Sequence, residues 1–195
     1  MKTATVYRKT LETDISATLE LNGSGKADIS TGIGFFDHML TAFTRHGFFD
    51  LTLRCKGDLE VDTHHSIEDT GIVIGQAIKE AIGDKSGIKR FGYFILPMDD
   101  ALCMCAVDLS GRPYLSFEGS FRDDLIGDMQ TQMVREFFYA VSYAAGMNIH
   151  IRMLSGENDH HIAESMFKAF GKALDMAVSS EERLEGVMST KGNLA

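Results

Sequence analysis

The sequence predicts an α+β fold of two internally duplicated half-domains, each a small mixed β-sheet covered on one face by two helices. Three observations carry this. Stretches in which apolar and polar residues alternate, as they do in half-buried strands, are interleaved with stretches at helical spacing. A His-His-x-x-Glu cluster occurs twice, at 64–68 and 160–164, each time leading into a helical pattern with one glycine, Gly75 and then Gly171. The order of elements before the two clusters is also the same, and such self-similarity marks a duplication. No linker or low-complexity stretch separates the halves, so residues 1–90 and 91–195 are two half-repeats of one compact unit.

Each element follows from its residues. Residues 3–9 and 12–21 alternate and form a hairpin, and Asn22-Gly23 supplies a turn. Ala27, Ile29 and Thr31 make a short third strand ending at Gly32 and Gly34. Phe36, Met39, Leu40 and Phe43 then recur at helical spacing over 35–47, with Gly47 as C-cap. That helix carries His38. Residues 49–58 alternate as a strand, and the first cluster opens a helix ending near Gly83, with Ile67, Ile72, Val73, Ile74, Ala77 and Ile78 along it. From residue 91 the order returns: strands over 91–98, 101–112 and 114–121, a helix over 129–146 with a glycine cap, a strand over 148–154, and a last helix ending near Ser179.

Composition narrows the class. A chain of 195 residues with 44% hydrophobic residues can bury a core. A net charge of -9 argues against sequence-independent nucleic-acid binding, which depends on neutralising phosphates. Cys103 and Cys105, two apart on a strand, face the same way and with Cys55 read as free thiols in a reducing compartment. The N-terminus has no apolar signal core and no run approaches 18 apolar residues, so the expectation is a soluble cytoplasmic protein with no membrane partner.

The clusters hold the chemistry. On a helix His64 and His65 each share a face with Glu68, but neighbouring side chains diverge by about 100°. An adjacent pair therefore feeds two ions better than it chelates one. Alone, the first cluster reads equally as a polar helix start with Glu68 and Asp69 complementing the dipole. Its recurrence, with Asp62 and Asp159 as nearby acids, favours ligands. The duplication extends the inventory: His38 stands nine residues before Gly47, and the matching place before Gly146 is Glu136 once one residue is allowed for. Eight candidates result, His38, His64, His65, Glu68, Glu136, His160, His161 and Glu164, four for each of two ions. Mixed imidazole and carboxylate ligation suits Mn, Fe, Ni or Zn and leaves positions open for substrate. His46, next to Gly47, and His150, mid-strand, read as a helix-end and a strand-face residue, with His46 close enough to the cluster to keep in view.

The stretches GIGFFDHML, DTHHSIEDTGI, PMDDAL, ENDHHIAESMFKAFGKAL and the terminal STKG resemble those of the imidazoleglycerol-phosphate dehydratases of histidine biosynthesis, over essentially the whole chain. The resemblance implies a lyase that dehydrates D-erythro-imidazole glycerol phosphate to imidazole acetol phosphate. It implies two Mn2+ ions per active site that bind the substrate as imidazolate, as Lewis acid and template. It further implies a homo-oligomer of twenty-four subunits with sites shared between neighbours. Residue by residue, it assigns Glu12 to the family's substrate-contacting acid and general acid/base, with the metal-held carboxylates Glu68 and Glu164 as competitors for the proton. Arg90, Arg112, Ser189, Thr190 and Lys191 fall to substrate and phosphate binding, and His38 and His46 sit beside the substrate. On residue chemistry alone Glu12 is an exposed strand acid, Arg90 and Arg112 are surface charges, and the tail is a frayed end. One departure concerns Glu136, where many members have a histidine; altered metal affinity is expected there. The rivals are a non-catalytic His/Glu metal-binding shell, which accounts for neither the arginines nor the STKG tail, and a binuclear metallohydrolase, in which the metals would activate water instead of binding an azole.

Overall fold

Two four-stranded sheets of the same connectivity enclose four helices. The computed structural model describes residues 2–194. In the first half β1 (Thr3–Lys9), β2 (Thr13–Glu20), β3 (Ala27–Ser30) and β4 (Asp50–Gly57) lie in the order β1-β2-β4-β3, with helices α1 (Gly34–His46) and α2 (His64–Ile82). In the second half β5 (Phe91–Met98), β6 (Ala101–Asp108), β7 (Tyr114–Glu118) and β10 (Asn148–Ser155) lie in the order β5-β6-β10-β7. Helices α3 (Met133–Ala145) and α4 (Asp159–Val178) accompany them. Both sheets are mixed, antiparallel except for one parallel pair each, β3–β4 and β7–β10, in which a helix makes the crossover. The expected α+β architecture is the one observed.

The alternation predicted for the strands appears as burial. In β2 and β6 the inward residues, among them Ile15, Ala17, Leu19, Cys103, Cys105 and Val107, are buried. The three cysteines are free, and full burial pushes the Cys105 thiol far above its ordinary range. Each helix packs on its own sheet and also on a helix of the other half, α2 on α3 and α1 on α4. Glycines make these crossings close: a Cβ on Gly75 would lie 2.7 Å from the Val141 carbonyl oxygen of α3, and one on Gly171 2.6 Å from that of Phe43 of α1. The two glycines matched by the repeat thus do the same job on either side. Around them Phe43 stacks on Phe170 and Phe137 on Phe167, with centroids 5.2 and 5.1 Å apart. Such pairs each contribute about 0.5–1.5 kcal/mol beyond their buried area.

Two local readings change. The predicted helix over 129–146 starts only at Met133, because Met129–Gln130 forms a short strand, β9, paired with β8 (Leu125–Ile126) about Gly127, whose φ is 60°. Met129 and Met133 share helical spacing, which is why the pattern reads through. Gly146 takes the left-handed cap conformation, but Gly47 does not: its φ is -82°, and the left-handed residue is Phe48 at 56°. Gly47 is needed for space, since a Cβ there would lie 2.2 Å from the Phe49 ring. Among the described residues no helix is long and apolar enough to cross a membrane.

Candidate metal and substrate site

The N-terminal turn of α4 presents the second cluster, and side-chain acceptors fix its backbone. The Asn158 side chain accepts from the His161 N–H at 3.2 Å. The buried Asp159 carboxylate accepts from the N–H groups of Arg122 and Asp123, which ties the segment before β8 to the helix. His160 and Glu164 stand one turn apart with Nε2 3.3 Å from Oε2. Because α1 crosses α4 closely, His38 of the first half joins them, its Nε2 3.7 Å from the same Oε2. One ligand atom from each of the three lies within 4.8 Å of the others. Phe35 packs edge-on against His160, and the N–H groups of Gly34 and Phe35 donate to the Asp128 carboxylate at 2.6 and 3.0 Å. The β8–β9 turn therefore caps the helix that carries His38, whose own N-cap residue Ile33 has no capping side chain.

Glu164 is nearly buried, and Lys168, one turn on and 14% exposed, binds its Oε1 at 2.8 Å. Burial alone would raise the Glu164 pKa. The Lys168 hydrogen bond and charge, with the imidazoles of His38 and His160, reverse that and hold it below the ordinary value. The carboxylate is thus ionised, with one oxygen occupied by the ammonium and the other aimed at two imidazole nitrogens. Two imidazoles and one carboxylate converging in this way make a donor set suited to a divalent transition ion.

The first cluster repeats this only in part. His64 Nε2 lies 3.5 Å from Glu68 Oε2. Glu136 sits on α3, which crosses α2 as α1 crosses α4, so it occupies the place that His38 has in the other set. Its Oε1 instead bonds Arg135 at 2.9 Å, and among the described residues only the His38, His160 and Glu164 set converges. The Arg135–Glu136 pair is partly exposed and therefore a weak hold. The one set that converges draws its side chains from both halves.

The adjacent histidines diverge as their spacing predicts: the rings of His64 and His65 are inclined at 74° and those of His160 and His161 at 78°. The second imidazole of each pair has its Nδ1 on a carboxylate, His65 on Asp58 at 3.0 Å and His161 on Asp100 at 2.6 Å. A carboxylate on Nδ1 fixes the ring and presents Nε2 as a ligand. Asp58 raises the His65 pKa, chiefly through this hydrogen bond. Asp100 is held far below the carboxylate range, first by His161 and then by the N–H groups of Asn158 and Glu157. Neither acid was found from sequence, although Asp100 lies in the PMDDAL stretch; only their equivalent places beside the repeated histidines would have pointed to them.

Glu12 lies in the turn between β1 and β2, its Oε1 3.7 Å from His65 Nε2 and its side chain 54% exposed. The turn is anchored to α2 through the buried Asp69, which accepts from Thr13 Oγ1 and, at 3.1 and 2.9 Å, from Arg8 Nε and Nη2. Asp69 is thus an internal anchor for the turn that carries Glu12, and not the helix-start charge that the first cluster taken alone also allowed.

Arg90, Arg112, Ser189, Thr190 and Lys191 line one cavity of about 270 Å³. Arg90 is braced by a bidentate bond to Asp108, at 2.7 and 3.0 Å, and by a bond from Nη1 to the Met188 carbonyl oxygen. With Arg112 and Lys191 beside it the cavity is cationic and suits a phosphate. His46 stands at the last turn of α1; burial first, then the charge of Lys168, lower its pKa, with Lys172 and Arg45 adding to this and the nearby Glu164 carboxylate opposing it. His150 lies on the outer face of β10 beside Tyr114, as a strand-face residue.

The cationic cavity and the His38 cluster stand at opposite ends of α4. The Arg90 N–H donates to the Ala177 carbonyl oxygen, seventeen residues beyond His160. At 1.5 Å per residue the separation is about 25 Å.

Residues 31–174 match the family model described as imidazoleglycerol-phosphate dehydratase. A protein of that description from Lachnoclostridium phytofermentans is 58% identical over 193 residues, covering 99% of this chain and 98% of that one. The crystal structure of imidazoleglycerol-phosphate dehydratase from Staphylococcus aureus subsp. aureus N315 superposes with a TM-score of 0.83 at 39% identity, covering 92% of this chain and 99% of that one. The Pyrococcus furiosus structure, in complex with (S)-C348, gives 0.85 at 39% identity over 97% and 100%.

Proposed function

Since the chain belongs to the imidazoleglycerol-phosphate dehydratase family of hydro-lyases, we propose that it converts D-erythro-imidazole glycerol phosphate to imidazole acetol phosphate, in histidine biosynthesis, at a site built for two Mn2+ ions. The observation that carries the metal reading is the convergence of His38, His160 and Glu164 from both halves, with Lys168 leaving one carboxylate oxygen free. His161, held by Asp100, would serve the same kind of ion from a face turned away from His160. His64, His65, Glu68 and Glu136 form the related set. Bound there, Mn2+ supplies Lewis acidity and a template for the azole ring.

The chain's own groups do the rest. Arg90, Arg112 and Lys191 fix the phosphate electrostatically, and Ser189 and Thr190 add hydroxyl donors. Glu12, placed by the Asp69 anchor beside His65 but free of any held ligand position, takes the proton from the substrate carbon on its carboxylate oxygen. General acid/base transfer of this kind requires reach and an unsaturated carboxylate. Glu68 and Glu164 are poorer candidates because their carboxylates would be taken up by the ions, and one Glu164 oxygen is already held by Lys168.

A separation of about 25 Å along α4 is too long for one small phosphorylated azole to bridge. We therefore read the active site as shared between copies in a homo-oligomer, in the cytoplasm, with one copy supplying phosphate contacts and another supplying ligands. The test is His160→Ala and His64→Ala, each assayed at saturating Mn2+. Both should abolish dehydration; near wild-type activity in either would overturn the two-ion reading.

A further inference from the structure

The duplication allows the two ligand sets to be compared donor by donor. His64 and Glu68 stand on the first turns of α2 as His160 and Glu164 do on α4, and the third member comes in each case from the crossing helix, Glu136 on α3 and His38 on α1. The sets therefore differ at one donor: two imidazoles and one carboxylate against one imidazole and two carboxylates. A fourth donor from His65 or His161 adds an imidazole to either set and leaves the difference as it is. The residue behind the donors differs as well. Lys168, four beyond Glu164, binds its Oε1 at 2.8 Å, whereas the matching position four beyond Glu68 is Ile72. Among the described residues Glu68 pairs only with His64. Glu136 pairs with Arg135, whose side chain is 55% exposed, and a solvated pair of that kind is too weak to withhold the carboxylate from a divalent ion.

We propose, resting on the two-ion reading above, that the two positions select different divalent ions. The His38, His160 and Glu164 position favours an imidazole-preferring ion such as Zn2+ or Ni2+, and the His64, Glu68 and Glu136 position an oxygen-preferring ion such as Mn2+ or Mg2+. Imidazole donors suit the first class and carboxylates the second. Charge works in the same direction. At the His38 position the Lys168 ammonium offsets the single Glu164 carboxylate, so little net charge attracts an ion and donor identity decides which one stays. At the other position two carboxylates face one partly solvated guanidinium, so the ion is held chiefly by charge on oxygen. Mn2+ offered alone fills both positions; the selection shows under competition.

The test is displacement of one metal by another. The full-length protein is loaded with Mn2+, freed of excess, and titrated with Zn2+ at buffered free concentrations. Electron paramagnetic resonance counts the Mn2+ released, and elemental mass spectrometry the Zn2+ bound. The expected result is release in two one-ion steps, which are resolved when the relative affinities of the positions differ by about tenfold or more. Glu136→His should merge them into one two-ion step at the lower Zn2+ concentration, and His38→Glu should merge them at the higher. Both side chains are partly exposed, at 32% and 47%, so neither substitution opens the core, and circular dichroism checks the fold. A single step in the wild-type protein overturns the proposal, as does a folded Glu136→His in which the two-ion step at lower Zn2+ does not appear. Fewer than two Mn2+ bound before Zn2+ is added overturns the two-ion reading as well. Counting ions thus tells the two failures apart without reference to turnover.

Discussion

Replacing Lys168 by methionine separates the demands of the fold from those of the metal. The Lys168 ammonium and the Glu164 carboxylate are 14% and 9% exposed and 2.8 Å apart, so the pair is close to a buried one. Removing one partner of a buried pair costs about 3–5 kcal/mol, because the remaining charge is stranded. Residual exposure and the facing imidazoles of His38 and His160 put the metal-free variant at the lower end, about 3 kcal/mol. For a chain of this length each kcal/mol moves Tm by about 2–4 °C, so the metal-free protein should melt roughly 6–12 °C lower. With Mn2+ bound, the ion replaces the lost cation and Glu164 no longer divides its oxygens. Most of the loss should then disappear. Calorimetry of wild type and variant, each in chelator and in saturating Mn2+ at one protein concentration, gives the four values needed. An equal loss in both conditions would mean that the ion does not sit on Glu164, and would refute the reasoning.

Three further outcomes follow from the same geometry. Glu12→Gln should retain Mn2+ content and substrate affinity while kcat falls by about 10²- to 10⁴-fold, the range of a general acid/base; steady-state kinetics with metal analysis checks this, and lost metal would make Glu12 a ligand instead. Asp58→Asn should lower the His65 pKa, so that in a pH titration Mn2+ binding, although weaker, persists to lower pH than in wild type. Because Asp58 raises the folded-state His65 pKa, its stabilisation of the metal-free protein is fully present below about pH 6.5, the unfolded value, and is lost as pH rises through the raised one; denaturant midpoints of the two proteins should converge at alkaline pH. Gly171→Ala puts a Cβ 2.6 Å from the Phe43 carbonyl oxygen and should cost about 1–3 kcal/mol by overpacking, while weakening Mn2+ at the His38 cluster in isothermal titration; Gly75→Ala should destabilise alike but leave that cluster intact.

Most of the architecture is legible in the sequence because each sheet buries one face and solvates the other, so its strands announce themselves by alternation. The repeated clusters are legible for a related reason: a helix start fixes the spacing of its ligands whatever the rest of the chain does. What cannot be read is which helices meet. Counting ligands gives eight, but that His38 joins His160 and Glu164 rather than His64 depends on α1 crossing α4 at Gly171, a contact far apart in sequence. The Asp128 cap on α1 is hidden in the same way, its partners lying 94 and 93 residues off. The late start of α3 is a different failure, in which a two-residue strand at Met129 happened to fall in phase with the helix after it. Lys168, by contrast, was within reach: it stands four residues after Glu164, on the same helix face.

The central claim is that this chain is a dehydratase whose turnover depends on the histidine and carboxylate clusters holding Mn2+. The direct measurement strips the purified protein with chelator, restores Mn2+ in steps, and follows both bound metal and conversion of imidazole glycerol phosphate. The account predicts no conversion in the stripped protein and conversion that rises with occupancy and levels off at about two Mn2+ per chain, the number that eight ligands supply at four each. Conversion undiminished by chelation, or a protein carrying its full complement of Mn2+ that leaves the substrate unchanged, would contradict it.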